Sequence, residues 1–216
     1  REYERDAQIW VEMERPDFAM MLEEGWAFHH KELPGGERQI CQILVPGDIL
    51  DGASLLPGGQ TMTGIRAASD LRVRAFGNDR LRSVLVDKPE VAQALWWAVV
   101  QTDNIFREHI ARVGRLTSAQ ALAHLLLELA VRCRMAGTAR GDAIQLPLTQ
   151  TQLADYLGIS SVHVSRTLGM LRSAGFLSLE NRLLRILRWD ELCEFCCFSD
   201  DYLTVGCQKA PSGQAG

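Results

Sequence analysis

Two regimes of hydrophobic patterning divide the chain near Arg82. Before it, apolar positions alternate with polar ones in short runs closed by glycine or proline, the period-two signature of strands. Phe18 to Leu22 and Trp26 to Lys31 flank Glu23-Glu24-Gly25, which predicts a hairpin. Arg38 to Val45 predicts another strand, entered through Pro34-Gly35-Gly36 and closed by Pro46-Gly47-Asp48. Leu71, Val73 and Ala75 alternate with Arg72 and Arg74, a half-buried strand with a wet basic face. Short strands with such turns predict a barrel or sandwich, a β-roll over residues 1–86. Its abrupt strand-like start leads us to expect a natural N-terminal element upstream.

The helical part begins at Asp79 or Asp87. Pro89 to Val113 holds 25 residues with no glycine and no proline after Pro89 itself, a helix about 37 Å long at ~1.5 Å per residue. Val91, Leu95, Ala98, Thr102, Ile105 and His109 recur at spacings of three and four. With Trp96, Trp97, Val99 and Val100 the helix is apolar on more than one face. That predicts a partner helix, and hence a dimerisation helix over 87–114 with Leu95, Ala98, Thr102 and Ile105 near the seam. Gly114 is expected to end it. Thr117 or Ser118 then caps a helix to about Met135, with Leu122, Leu125, Leu126 and Leu129 inward, and Gly137 to Asp142 is a loop.

Residues 115–208 carry the candidate chemistry. Thr149 and Gln152 form a capping box at the start of a short helix. Leu153, Ala154 and Leu157 are its inner face, and Gly158 permits the left-handed turn that stops it. Ile159 is a buried turn residue, and Ser160 caps a second helix to about Ser173 with Val164, Leu168 and Leu171 inward. This is a helix-turn-helix, because turn, caps and both inner faces agree. Gly175 to Glu180, a turn at Asn181-Arg182, and Leu183 to Leu187 add a wing. Ser161, Val162, His163, Ser165 and Arg166 line the exposed start of the second helix, placed to reach base edges in a major groove. Arg166 is the strongest base-reading candidate, since a guanidinium grips guanine O6 and N7 with two hydrogen bonds. Thr149, Arg172, Arg182 and Arg185 are candidates for the DNA backbone.

Charge sharpens this reading. Thr138 to Arg188 holds six arginines against three acidic residues, net +3, whereas the rest of a chain of net charge -4 sums to -7. A basic excess confined to the suspected reader fits phosphate contact and excludes a wholly basic nucleic-acid coat. The longest apolar stretch is interrupted by His124 and Glu128 and falls short of the ~18 residues of a membrane helix. No membrane partner is therefore expected, and the chain reads as cytoplasmic. Cys41, Cys133, Cys193, Cys196, Cys197 and Cys207 show no regular framework, so free thiols are expected. Cys193, Cys196, Cys197 and Cys207 would suffice for a zinc or iron–sulfur site. A short terminal helix there, with Cys193 and Cys197 on one face and Phe195 and Phe198 docking, favours buried thiols. The tail 209–216 supplies no core.

Two other readings compete with this one. A cupin-like metal enzyme would need His29 and His30 on one ion, but consecutive strand residues point to opposite faces. No nucleophile–base spacing stands out, so no enzyme is expected. A ligand-binding or protein-interaction module with a vestigial helix-turn-helix is the alternative to DNA reading.

The chain resembles the Crp/Fnr family of bacterial transcription regulators. In the front half the resemblance rests on Glu24-Gly25-Trp26-Ala27, Leu33 to Ile40, and Leu44-Val45-Pro46-Gly47-Asp48-Ile49. In the back half it rests on Leu148-Thr149-Gln150, Leu157-Gly158-Ile159-Ser160 and Val164-Ser165-Arg166-Thr167-Leu168. It implies an α+β fold: a cyclic-nucleotide-binding-like jelly roll, a long dimerisation helix and a C-terminal winged helix-turn-helix. It also implies a homodimer on a palindromic operator, double-stranded DNA and RNA polymerase as partners, and a small-molecule effector not identified by the sequence.

The departures bear on that effector. Cyclic-nucleotide-binding members carry a Gly-Glu pair after the Pro-Gly-Asp turn and an Arg-Ser pair beyond it, for ribose and cyclic phosphate. Here those positions read Asp51-Gly52 and Met62-Thr63. Methionine cannot neutralise a phosphate, so the pocket is degenerate and cyclic AMP is not expected to bind. The cluster cysteines of oxygen-sensing members are absent before Cys41. His29, His30 and His109 read as ordinary surface or core histidines rather than haem ligands, and no cofactor is expected. Where relatives commonly carry a glutamate at the position of Val162, the half-site should differ.

Overall fold

The computed structural model describes residues 1–56 and 58–204. The front part is a roll of two antiparallel sheets. One is ordered β1 (Glu2–Tyr3), β7 (Leu71–Gly77), β3 (Phe18–Glu24); the other β2 (Gln8–Trp10), β6 (Gly64–Ala67), β4 (Ala27–Glu32), β5 (Arg38–Leu44). Trp10, Met20, Leu22, Leu44, Ile65 and Val73 fill its interior.

The hairpin expected across Glu23-Glu24-Gly25 does not form. β3 pairs with β7, whereas β4 pairs with β5 and β6. Gly25, at φ 82°, instead carries the chain from one sheet to the other, and a Cβ there would lie 2.3 Å from the Asp70 carbonyl oxygen. Alternation tells which face of a strand is buried but not which sheet it joins.

Helix α1 (Asn78–Asp87) leads into α2 (Pro89–Arg115). Gly114 does not end α2; the helix runs to Arg115, and Leu116 caps it. Thr117 then starts α3 (Ser118–Met135), with a capping box to Gln120. A three-residue strand, β8 (Ala143–Gln145), had no sequence signal of its own. It joins the sheet β8-β10-β9, whose other strands are β9 (Leu177–Glu180) and β10 (Leu183–Ile186). Between them lie α4 (Gln150–Leu157) and α5 (Ser161–Ser173), and α6 (Trp189–Cys196) follows.

Roll and reader share one core. Phe28, Ile40 and Ile43, on the outer face of β4 and β5, pack in one cluster with Leu126, Tyr156 and Leu168. Each large apolar side chain fully buried there contributes about 1.5–3 kcal/mol. Among the described residues no helix is long and apolar enough to cross a membrane.

Candidate functional site

The reader is built from local signals. Thr149 Oγ1 accepts from the Gln152 amide at 3.1 Å, and the Gln152 side chain accepts from the Thr149 amide at 2.9 Å. Gly158 adopts φ 67°, which an L side chain rarely takes, and so turns the chain between the helices. Ser160 Oγ accepts from the His163 amide at 3.2 Å and starts α5. Val164, Leu168 and Leu171 are buried as expected, while Ile159 is half-buried.

That burial fixes what α5 presents outward. Ser161, Val162, His163, Ser165 and Arg166 are all exposed, Val162 at 67%. Asn181 and Arg182, at φ 50° and 62°, form the tight turn at the tip of the wing. Arg166, Arg172 and Arg182 are exposed and have no ion-pair partner among the described residues. Arg185 is half-buried and lies 3.5 Å from Asp142. Thr149 is exposed although its oxygen caps α4. Exposed guanidinium groups and a helix N-terminus are the kinds of group that suit phosphate.

Of the residues expected at the dimer seam, three border the roll. Ala98, Thr102 and Ile105 turn toward their own roll and line a cavity, and Leu95 is half-buried. The more exposed stripe of α2 lies one residue further on: Trp96 (70% exposed), Val99, Ile110 (68%) and Val113, with half-buried Phe106 and the ion-paired Asp103 in line, Val99 and Phe106 bordering the cavity as well. Spacings of three and four along this stripe are those of a coiled-coil seam. The helix is apolar on two adjacent stripes, and the roll covers one of them.

The cavity between the roll and α2 has a volume of about 310 Å³. Asp51, Gly52, Met62 and Thr63 line it, as do His29 and Gln42. Asp51 accepts from the Ala53 amide at 2.8 Å and caps a short 3-10 turn (Gly52–Leu55). Thr63 Oγ1 lies 2.7 Å from His29 Nδ1, and the other imidazole nitrogen reaches the Leu50 carbonyl oxygen. Because that carbonyl only accepts, His29 donates from Nε2 and accepts from the Thr63 hydroxyl. Burial lowers its pKa, so the ring stays neutral. Met62 is 57% exposed at the rim. His30 faces away from the cavity, beside Phe28 on the outer side of β4.

Sequence reasoning missed a buried ionic network linking roll, α2 and reader. Arg112 of α2 and Glu128 of α3 are both fully buried and hydrogen-bonded. Arg132 of α3 reaches Asp48 at 2.6 Å and the Ile43 carbonyl at 3.0 Å. Arg112 Nε donates to His124 Nδ1 at 3.2 Å, and the Tyr202 hydroxyl donates to Glu128 at 2.9 Å. Burial alone would raise the Glu128 pKa, but Arg112 and Arg132 outweigh it and hold the group ionised. His109 stacks on Tyr156 of α4 at 4.0 Å, and Arg38 of β5 donates to Asp155 of α4 at 2.9 and 2.6 Å. The available signal was His124 and Glu128 interrupting an otherwise apolar helix.

The late thiols diverge from the expected arrangement. Cys196 is buried and donates to the Leu192 carbonyl, Cys193 is half-buried, and Cys197 is exposed on the left-handed cap of α6. Cys193 and Cys197 therefore do not share a helix face. Burial pushes the Cys196 thiol up to about 12. Among the described residues no group of His, Cys, Asp and Glu could hold a metal ion, and Cys207 lies outside those residues.

A β-roll, a long helix and a winged helix-turn-helix with a basic outer face define a DNA-binding transcription regulator. Residues 1–88 match the profile of the cyclic nucleotide-binding domain, and residues 120–195 that of the Crp-like helix-turn-helix domain. The chain is 27% identical over 186 residues to the transcriptional activator protein FnrL of Cereibacter sphaeroides, covering 84% of this chain and 73% of that protein. It is 28% identical over 158 residues to the nitrogen fixation regulation protein FixK of Azorhizobium caulinodans, covering 73% and 62%. Of solved structures, FixK2 from Bradyrhizobium japonicum matches with a TM-score of 0.80 at 26% identity, covering 92% of this chain and 97% of that one. The chain belongs to the Crp/Fnr family of transcription regulators. That family consists of regulators, not enzymes, and its members bind DNA as dimers and contact RNA polymerase.

Proposed function

We propose that this protein is a homodimeric, cytoplasmic transcription regulator that reads a palindromic operator through α5 and recruits or blocks RNA polymerase there. The observation that carries the reading is the start of α5. It exposes Arg166 without an ion-pair partner among the described residues, on a helix whose caps and inner face are fully accounted for. Arg166 reads a guanine, and Val162, Ser161, His163 and Ser165 complete the base contacts. Valine offers only methyl groups, which suits a thymine. Thr149, Arg172, Arg182 and Arg185 hold the backbone. Two copies pair along Trp96, Val99, Phe106, Ile110 and Val113, which places two α5 helices for a two-fold operator.

The roll does not take cyclic AMP, because Met62 stands where a phosphate needs a cation and Thr63 is already bonded to His29. Selection from random duplexes with purified protein, with light scattering on the same sample, tests the reading. The expected outcome is an enriched inverted repeat and a dimer mass, with Ile110→Glu shifting the mass to monomer. A monomeric wild type at tens of micromolar, or no enriched repeat, overturns it.

A further inference from the structure

Resting on the reading of α5 as the helix that enters the major groove, we propose that Gly169 is where a sugar–phosphate strand of the operator passes against the helix backbone. It thereby sets how deeply α5 seats and whether Arg166 reaches its guanine. The starting point is a glycine for which the fold itself has no use. Gly169 lies well inside α5 (Ser161–Ser173), where glycine in place of alanine lowers the folding equilibrium about fivefold. Packing does not ask for it: beyond its own turns of helix, a Cβ at Gly169 would meet no atom of the described residues within 4 Å. No turn asks for it either. Its φ is not positive, and the left-handed residue that closes α5 is Gly175, at φ 74°.

What remains is the close approach of another molecule. The face on which Gly169 lies says which. Val164, Thr167, Leu168 and Leu171 are buried and fix the inward side of α5. Val162, Arg166 and Gly169, at spacings of four and three, fall on the opposite side, with Val162 and Arg166 exposed. Gly169 is therefore the next step along the line that carries the base-reading candidates. At ~1.5 Å per residue it sits about 10 Å back along the axis from Val162. The major groove is about 8.5 Å deep. With the first turns of α5 at the base edges, Gly169 comes to the height of the groove wall, which is sugar and phosphate. Arg172, less than a turn further on, is exposed and has no ion-pair partner among the described residues. It supplies a cation beside that strand. A bare Cα lets strand and helix meet closely enough for the guanidinium of Arg166 to reach the bases.

The test sets stability against binding in the full chain. Gly169→Ala and Gly169→Leu are each followed by urea unfolding without DNA, and by footprinting on the selected operator and on an unrelated duplex. Gly169→Ala should raise the folding equilibrium of the free protein about fivefold, and Gly169→Leu nearly as much. The same variants should weaken the operator complex about tenfold and about a hundredfold respectively, as the grip of Arg166 is loosened in both half-sites. The unrelated duplex, which is held loosely through its phosphates, should change less than about twofold. Gain of stability with loss of operator binding is a pattern that a glycine needed by the fold would not produce. The proposal is overturned if either variant binds the operator like wild type, if the unrelated duplex weakens equally, or if Gly169→Ala destabilises the free protein. Arg166→Ala on the same duplexes separates the two levels. If it keeps the operator preference, the reading of α5 falls; if it loses the preference while the Gly169 variants keep it, only the role of Gly169 falls.

Discussion

Acid should loosen the attachment of the reader, and His109 supplies a measurable share of the effect. Its ring stacks on Tyr156 at 4.0 Å, where α2 meets α4, and its Nδ1 has no hydrogen-bond partner among the described residues. Burial, assisted by the nearby Arg112 guanidinium, lowers its pKa from 6.5 to about 4. The unfolded chain therefore takes up a proton below pH 6.5 that the folded chain refuses until about pH 4. Stability is complete above 6.5 and declines as pH falls through that window. At pH 5 the difference amounts to about 2 kcal/mol from this one residue. The perturbation is His109→Phe, which keeps the ring against Tyr156 but cannot be protonated. Urea unfolding at pH 7.5 and pH 5 measures the loss for each protein. Wild type should lose about 2 kcal/mol more than the variant over that interval. His29, His30 and His124 shift in the same direction and are present in both proteins, so they cancel. Equal losses would refute the claim that His109 is held neutral by its burial at this junction.

Glu128→Gln should cost about 3–5 kcal/mol in urea unfolding, since it leaves Arg112 and Arg132 buried beside a neutral group. An unaltered midpoint would mean that the network is not holding roll, α2 and reader together. Gly25→Ala should lower stability by about 2 kcal/mol or more, because its left-handed backbone and the Asp70 carbonyl both oppose a Cβ. A midpoint within about 0.5 kcal/mol of wild type would show that the sheet switch tolerates a side chain.

The reader was legible because its determinants are local. Thr149 with Gln152, Gly158 and Ser160 act within a few residues of themselves, and the caps they imply appear, with only Ile159 less buried than expected. The roll was legible as strands but not as sheets. Whether β3 meets β4 or β7 depends on Leu71 to Gly77, some fifty residues away in the chain, which no local period encodes. On α2 the difficulty was degeneracy. Leu95, Trp96, Ala98 and Val99 make two adjacent stripes apolar, and only the placement of the roll decides that Ala98, Thr102 and Ile105 face inward. The ionic network was invisible for a related reason. Asp48, Arg112, Glu128 and Arg132 look like ordinary charges until three separate segments bring them together out of water.

The central claim is that α5 reads sequence through Arg166, and a footprinting titration tests it most directly. Wild type, Arg166→Ala and Arg182→Ala are titrated on the selected operator and on an unrelated duplex across a salt series. Arg166→Ala should erase the preference for the operator, a loss of about 1–3 kcal/mol in each half-site, while weak salt-sensitive binding to both duplexes remains. Arg182→Ala should weaken both duplexes together, with a shallower salt dependence. An Arg166→Ala protein that keeps the wild-type preference for the operator would contradict the account.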